Sequence, residues 1–89
     1  MRFEWDRGKA EANLRKHRVS FDEAASIFFD TLSVTIPDPD HSIAERRFVT
    51  MGVSTMGRLV VVAHTERGNT LRIITARLAS AAERKRYES

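Results

Sequence analysis

The chain contains no cysteine, which excludes a disulfide framework, a thiolate zinc site and a cysteine nucleophile together and leaves packing to supply stability. Glycine and proline are scarce, with four and two among 89 residues. Neither a dinucleotide-binding glycine fingerprint nor a Gly-x-Ser-x-Gly elbow can be found, so no cofactor and no acyl transfer are expected. The longest apolar run, Leu59 to Ala63, is far short of the roughly 20 residues that cross a bilayer. No basic-then-apolar signal segment opens the chain, so a cytoplasmic address without a membrane partner is expected. His17, His41 and His64 never stand at ligand spacing on one element, and no metal is expected.

What is present fits a globular chain: 42% hydrophobic and 30% charged residues, read as a single domain over residues 1–89. The net charge of +3 is unevenly spread. From Asp30 to Glu45 there are acids but no Lys or Arg, whereas from Arg67 to Arg86 six bases, Arg67, Arg72, Arg77, Arg84, Lys85 and Arg86, stand against Glu83 alone. Twelve of the fifteen bases are Arg, the side chain that grips phosphate or carboxylate bidentately. That bias favours nucleic acid or an acidic protein as partner.

The Pro37-Asp38-Pro39-Asp40 loop separates a helical first third from a strand-rich remainder. Arg2 to Trp5 reads as a short strand, and Asp6 as the N-cap of a helix from about Lys9 to His17. Ser20-Phe21-Asp22-Glu23 reads as a capping box that opens a second short helix, whose Phe21, Ala24, Ala25 and Phe28 belong to the core. Leu32–Ile36, Arg47–Val53, Arg58–Thr65 and Thr70–Arg77 are β-branched and bounded by turn signals, with Gly57 and Gly68-Asn69 at the hairpins. Such short connections pair neighbours antiparallel, and Leu59 to Ala63 suits a strand covered on both faces. Ser80-Ala81-Ala82-Glu83 opens a last helix through Tyr87. The expected fold is α+β in the order β-α-α-β-β-β-β-α, an antiparallel sheet packed against short helices.

Several polar residues stand where a purely structural reading prefers something else. His17 shares a helix face with Ala10 and Leu14, where an imidazole is suited to proton transfer or simply caps the helix end. Glu45 and Arg47, two apart at the start of a strand, form a site pair or a plain salt bridge. Arg72 and Arg77 lie on opposite faces of one strand, so one of them approaches a covered face and needs an anionic partner there. A base, cations for a phosphate and an acid are the parts of a metal-free ribonuclease. A non-catalytic basic binding module satisfies the same list.

The string Phe3-Glu4-Trp5-Asp6, followed by Lys9-Ala10, Asn13, Lys16-His17, Val19 and Phe21, resembles the opening signature of the BrnT family of bacterial toxins. Glu45-Arg46-Arg47-Phe48 with Gly52, Thr65-Glu66-Arg67, Arg72 to Arg77 with Ala79, Glu83-Arg84 and Tyr87 follow in family order. The resemblance covers nearly the whole chain. It implies a type II toxin-antitoxin toxin with a RelE-like ribonuclease fold that stops translation by cutting RNA, free or on the ribosome. It further implies neutralisation by a BrnA-type antitoxin, whose ribbon-helix-helix part contacts operator DNA on behalf of the complex. By position, the expected catalytic set is His17, Glu45, Arg47 and Arg77, and the expected RNA-binding set is Lys16, Arg67, Arg72 and Tyr87; Trp5, Asn13 and Phe21 fall at architectural positions. Two departures stand out. Arg18 occupies a position where relatives usually have Gly, and Leu78 replaces a common Lys, which leaves open a toxin gone inactive and kept as a repressor subunit.

Overall fold

A computed structural model describes residues 1–38 and 46–88. Its elements are β1 (Arg2–Glu4), α1 (Arg7–His17), α2 (Phe21–Ser26) with a 3-10 turn at Ile27–Phe29, β2 (Val34–Pro37), β3 (Arg47–Val53), β4 (Leu59–Arg67), β5 (Thr70–Leu78) and α3 (Ala81–Glu88). The helices begin where their caps stand. The Asp6 carboxylate accepts from the Lys9 N–H at 2.9 Å, and Ser20 Oγ accepts from the Glu23 N–H at 3.0 Å. At α3 the box is reciprocal: Ser80 Oγ accepts from the Glu83 N–H while Glu83 Oε1 accepts from the Ser80 N–H.

The five strands form one sheet in the order β1-β5-β4-β3-β2. From β2 to β5 every neighbouring pair is antiparallel, as short connections require. The expected antiparallel sheet is nevertheless mixed, because β1 joins the edge of β5 in parallel. These two strands are not consecutive, so no hairpin constrains their direction. The register is set at the β4–β5 turn, where the Arg2 N–H donates to the Asn69 carbonyl at 2.8 Å and Gly68 supplies the positive φ of 57°. Gly52 serves a different need: a Cβ there would lie 3.1 Å from the Ile27 carbonyl and from Ser33 Cβ, so β3 passes close beneath the 3-10 turn.

Helices α1 and α2 cover one face. Val19, Phe21, Ala24 and Ile27 pack against Val60, Val62, Leu71, Ile73 and Ala76, all buried. Leu59 to Val62 are buried without alternation, as expected of a central strand covered on both sides. Two polar groups organise this layer. Asn13 is buried on α1; its Nδ2 donates to the carbonyls of Val19 (3.0 Å) and Ala76 (2.8 Å), and its Oδ1 accepts from the Ala76 N–H at 3.1 Å. Glu23, also buried, accepts from Arg58 Nε at 2.9 Å and Ser54 Oγ at 2.7 Å, tying α2 to the β3–β4 turn. The Arg58 guanidinium beside it holds the Glu23 carboxyl below its usual range.

His64 is fully enclosed in β4. Its Nε2 shares a 2.7 Å hydrogen bond with Thr50 Oγ1, which is 2.7 Å from Thr35 Oγ1, while Phe28 meets the ring edge-on with centroids 5.0 Å apart. Burial pushes its titration down to about 4, so the ring is neutral at physiological pH. Helix α1 ends at Arg18 in the left-handed region (φ 60°, ψ 30°), with its N–H bonded to the Leu14 carbonyl at 2.9 Å. This is the C-terminal position at which glycine is normally favoured. Among the described residues no helix is long and apolar enough to cross a membrane.

Candidate functional site

Alternation along a strand sends Thr65 to the face opposite His64, away from α1 and α2. Register then lines up a polar row across that face: Arg47 stands opposite Thr65, Thr65 opposite Arg72, and Arg72 opposite Glu4. Strands spaced about 4.8 Å apart put the Arg47 and Arg72 backbones roughly 10 Å from each other. Arg72 Nη1 donates to Glu4 Oε2 at 2.8 Å. Glu4, Thr65, Arg67, Thr70 and Arg72 line a cleft of about 230 Å³. Both members of the Glu4–Arg72 pair are about half exposed, so the pair is open to exchange with an incoming anion.

Lys16 and His17 lie elsewhere. They line a cleft of about 300 Å³ between α1 and β5, together with Lys9, Asn13, Ile74 and Thr75. Here β5 carries an extra residue: Ala63 pairs with Thr75 and His64 with Ile73, leaving Ile74 as a bulge.

Arg77 and Tyr87 hold α3. The Arg77 guanidinium grips Glu83 bidentately at 2.7 and 2.9 Å and holds that carboxyl down to about 2. The Tyr87 hydroxyl donates to Asp30 Oδ2 at 2.5 Å, which lowers the Asp30 titration and raises that of Tyr87. Asp30 also accepts from the N–H groups of Val53 and Leu32. No residue of α3 is buried, and Tyr87, Glu83 and Arg86 border an apolar groove over Val34, Ile36 and Val61.

The expected site residues thus separate into three groups. Arg47, Arg67 and Arg72 stand at one end of the sheet face, Lys16 and His17 in the α1–β5 cleft, and Arg77 and Tyr87 at the α3 attachment. Glu45 lies outside the described residues. The carboxylate that pairs with Arg72 is Glu4, which sequence reasoning passed over although it belongs to the opening string Phe3-Glu4-Trp5-Asp6; the missing signal was the pairing of β1 with β5.

Comparison with known proteins decides the family. The model of the ribonuclease toxin BrnT of type II toxin-antitoxin systems matches residues 5–83. The chain belongs to the BrnT family. Its fold is similar to the crystal structure of the Brucella abortus ribonuclease toxin BrnT, with a TM-score of 0.70 and 23% identity, over 90% of this chain and 97% of that one. At that identity the likeness speaks for the fold, and the α+β arrangement of a five-stranded mixed sheet with three helices is the one BrnT adopts. No curated protein matches the sequence. Membership in a type II toxin-antitoxin family implies an antitoxin partner.

Proposed function

We propose that the chain, as one domain over residues 1–89, is the toxin of a type II pair and an endoribonuclease of the cytoplasm that halts translation by cutting RNA, free or ribosome-bound. The observation that carries this reading is the row Glu4–Arg72–Thr65–Arg47 with its cleft. An incoming phosphodiester exchanges with Glu4 on the Arg72 guanidinium, and Arg47 and Arg67 meet the remaining charge. Glu4, released beside the phosphate, takes the proton of the ribose 2′-hydroxyl. The 2′-oxygen then attacks phosphorus, the bond to the 5′-oxygen breaks, and a 2′,3′-cyclic phosphate forms. The departing 5′-oxygen takes a proton from His17 or Glu45. Side chains alone supply these proton transfers, so the cut is metal-independent. Arg77 and Tyr87 support the site through α3. A BrnA-type antitoxin neutralises the toxin and carries the complex to operator DNA through its own ribbon-helix-helix part.

Single-turnover cleavage of labelled RNA in the presence of a chelator tests this. Glu4→Gln is expected to slow the cut about 10²- to 10⁴-fold. Arg72→Lys, which keeps charge but loses the planar fork, should slow it as well. His17→Ala and Glu45→Gln identify the acid by which of them loses rate. Uncut RNA with the folded wild-type chain would instead mark a binding module or an inactive repressor subunit.

A further inference from the structure

The first turn of α1, beyond its Asp6 cap, is charged against the helix dipole. The last turn of the helix carries Arg15, Lys16 and His17, where cations are favoured, but its first turn carries Arg7 and Lys9 and no acidic residue. A cation in the first turn is opposed by the partial positive charge of the helix N-terminus, so helix stability does not account for Lys9. Lys9, Asn13 and Lys16 recur on one helical face, with the two lysines about 10 Å apart along the axis. That face is turned to the edge of β5 and lines the cleft of about 300 Å³ with Ile74 and Thr75. No ion pair engages Lys9, Lys16 or His17 among the described residues.

The floor is rigid, and the furrow lies along the same edge strand as the arginine cleft, which opens on the other face of the sheet. Asn13 fixes α1 to the backbone of Ala76, and β1 stops pairing with β5 at Arg72. Ile74, in the lysine cleft, is two residues along β5 from Arg72, in the arginine cleft, a step of about 7 Å. Two ammonium groups with mobile stems grip phosphates as point charges without reading bases.

We propose that the furrow between α1 and β5 is a second phosphate-binding site, in which Lys9 and Lys16 hold the backbone of the same single-stranded RNA whose scissile phosphate lies at Arg72. This rests on the RNA-cleaving reading for the identity of its ligand. Lys9 is the residue it adds.

The test compares the full chain with a Lys9→Ala/Lys16→Ala variant and with Lys85→Ala, which removes one charge from α3. The probes are labelled single-stranded RNAs of about 4 and about 16 nucleotides, the range of site sizes on single-strand-binding surfaces. Both furrow lysines are exposed, so thermal melting should show the variant folded. The longer RNA is expected to bind the double variant about tenfold more weakly, with the salt slope reduced by about 0.7 for each lysine removed. Affinity for the shorter RNA and all properties of Lys85→Ala should stay at wild-type values. Unchanged affinity for the longer RNA overturns the furrow, as does an equal loss on both lengths. Loss of duplex DNA binding with RNA binding retained also overturns it and assigns the lysines to DNA. Failure of the cleavage reading registers separately, as bound RNA left uncut by the wild type.

Discussion

On one face of the sheet, α1 and α2 bury Phe21 and Ile27 against Val62 and Ile73 and lock their backbone to the strands through Asn13. On the other, α3 buries none of its residues and is held by one bidentate ion pair to Arg77 and one hydroxyl bond to Asp30. The first attachment is made by removing apolar surface from water, the second by charge near solvent. Screening and acid act on the second attachment directly and reach the first only through its few buried polar groups. The exposed arginine row belongs to the lightly covered face, where a ligand or partner meets little resistance to entry.

The sharpest way to break this contrast is Asn13→Ala. It strands the Ala76 N–H and the carbonyls of Ala76 and Val19 in a buried site, and it is expected to cost about 4 kcal/mol in urea unfolding. A loss under about 1 kcal/mol would mean that apolar contact alone docks α1. Acidification separates the two faces next. His64 titrates at 6.5 when unfolded and about 4 when folded, so its neutral ring stabilises the fold fully above the higher value. That contribution, about 3 kcal/mol, drains away as pH falls from 6.5 toward 4. Glu83 is displaced from 4.5 to about 2, so its hold on α3 is complete above 4.5 and is lost as pH falls toward 2. Global stability should therefore decline first, with α3 still docked, and His64→Gln should flatten the upper window in chemical unfolding followed against pH. The smallest effect is expected from Arg77→Ala, about 1 kcal/mol or less because the Arg77 side chain is about half exposed and its Glu83 partner partly so. Hydrogen exchange should rise across residues 81–88 and stay slow in β4; faster exchange in both together would show that α3 is an integral part of the core.

Local signals in the sequence carried most of the fold. Two Ser-x-x-Glu strings announced two helices, and turn glycines separated β-branched runs that became β3, β4 and β5. The same string conceals two outcomes, however: Glu83 reaches back to its own cap, while Glu23 turns to Arg58, 35 residues away. The parallel pairing of β1 with β5 was illegible for the same reason, since residues 2–4 meet residues 70–72 through no shared turn. This pairing is what brings Glu4 to Arg72. Strict alternation puts Arg72 and Arg77 on opposite faces of β5, but the extra residue Ile74 turns both to one face, opposite Thr65 and Val61; there Arg77 is half exposed and pairs with Glu83 to attach α3. The family resemblance marked Arg18 as a departure from glycine, and its left-handed backbone gives the physical reason that glycine suits the position.

Asn13 has one more consequence. By taking both the N–H and the carbonyl of Ala76, it does for β5 what an additional strand would do, beyond the point where β1 ends. At the opposite margin, β2 is four residues long and closes with Pro37, which has no N–H to offer a newcomer. The sheet is thereby guarded at both margins against strand-by-strand polymerisation, whether or not a partner covers it.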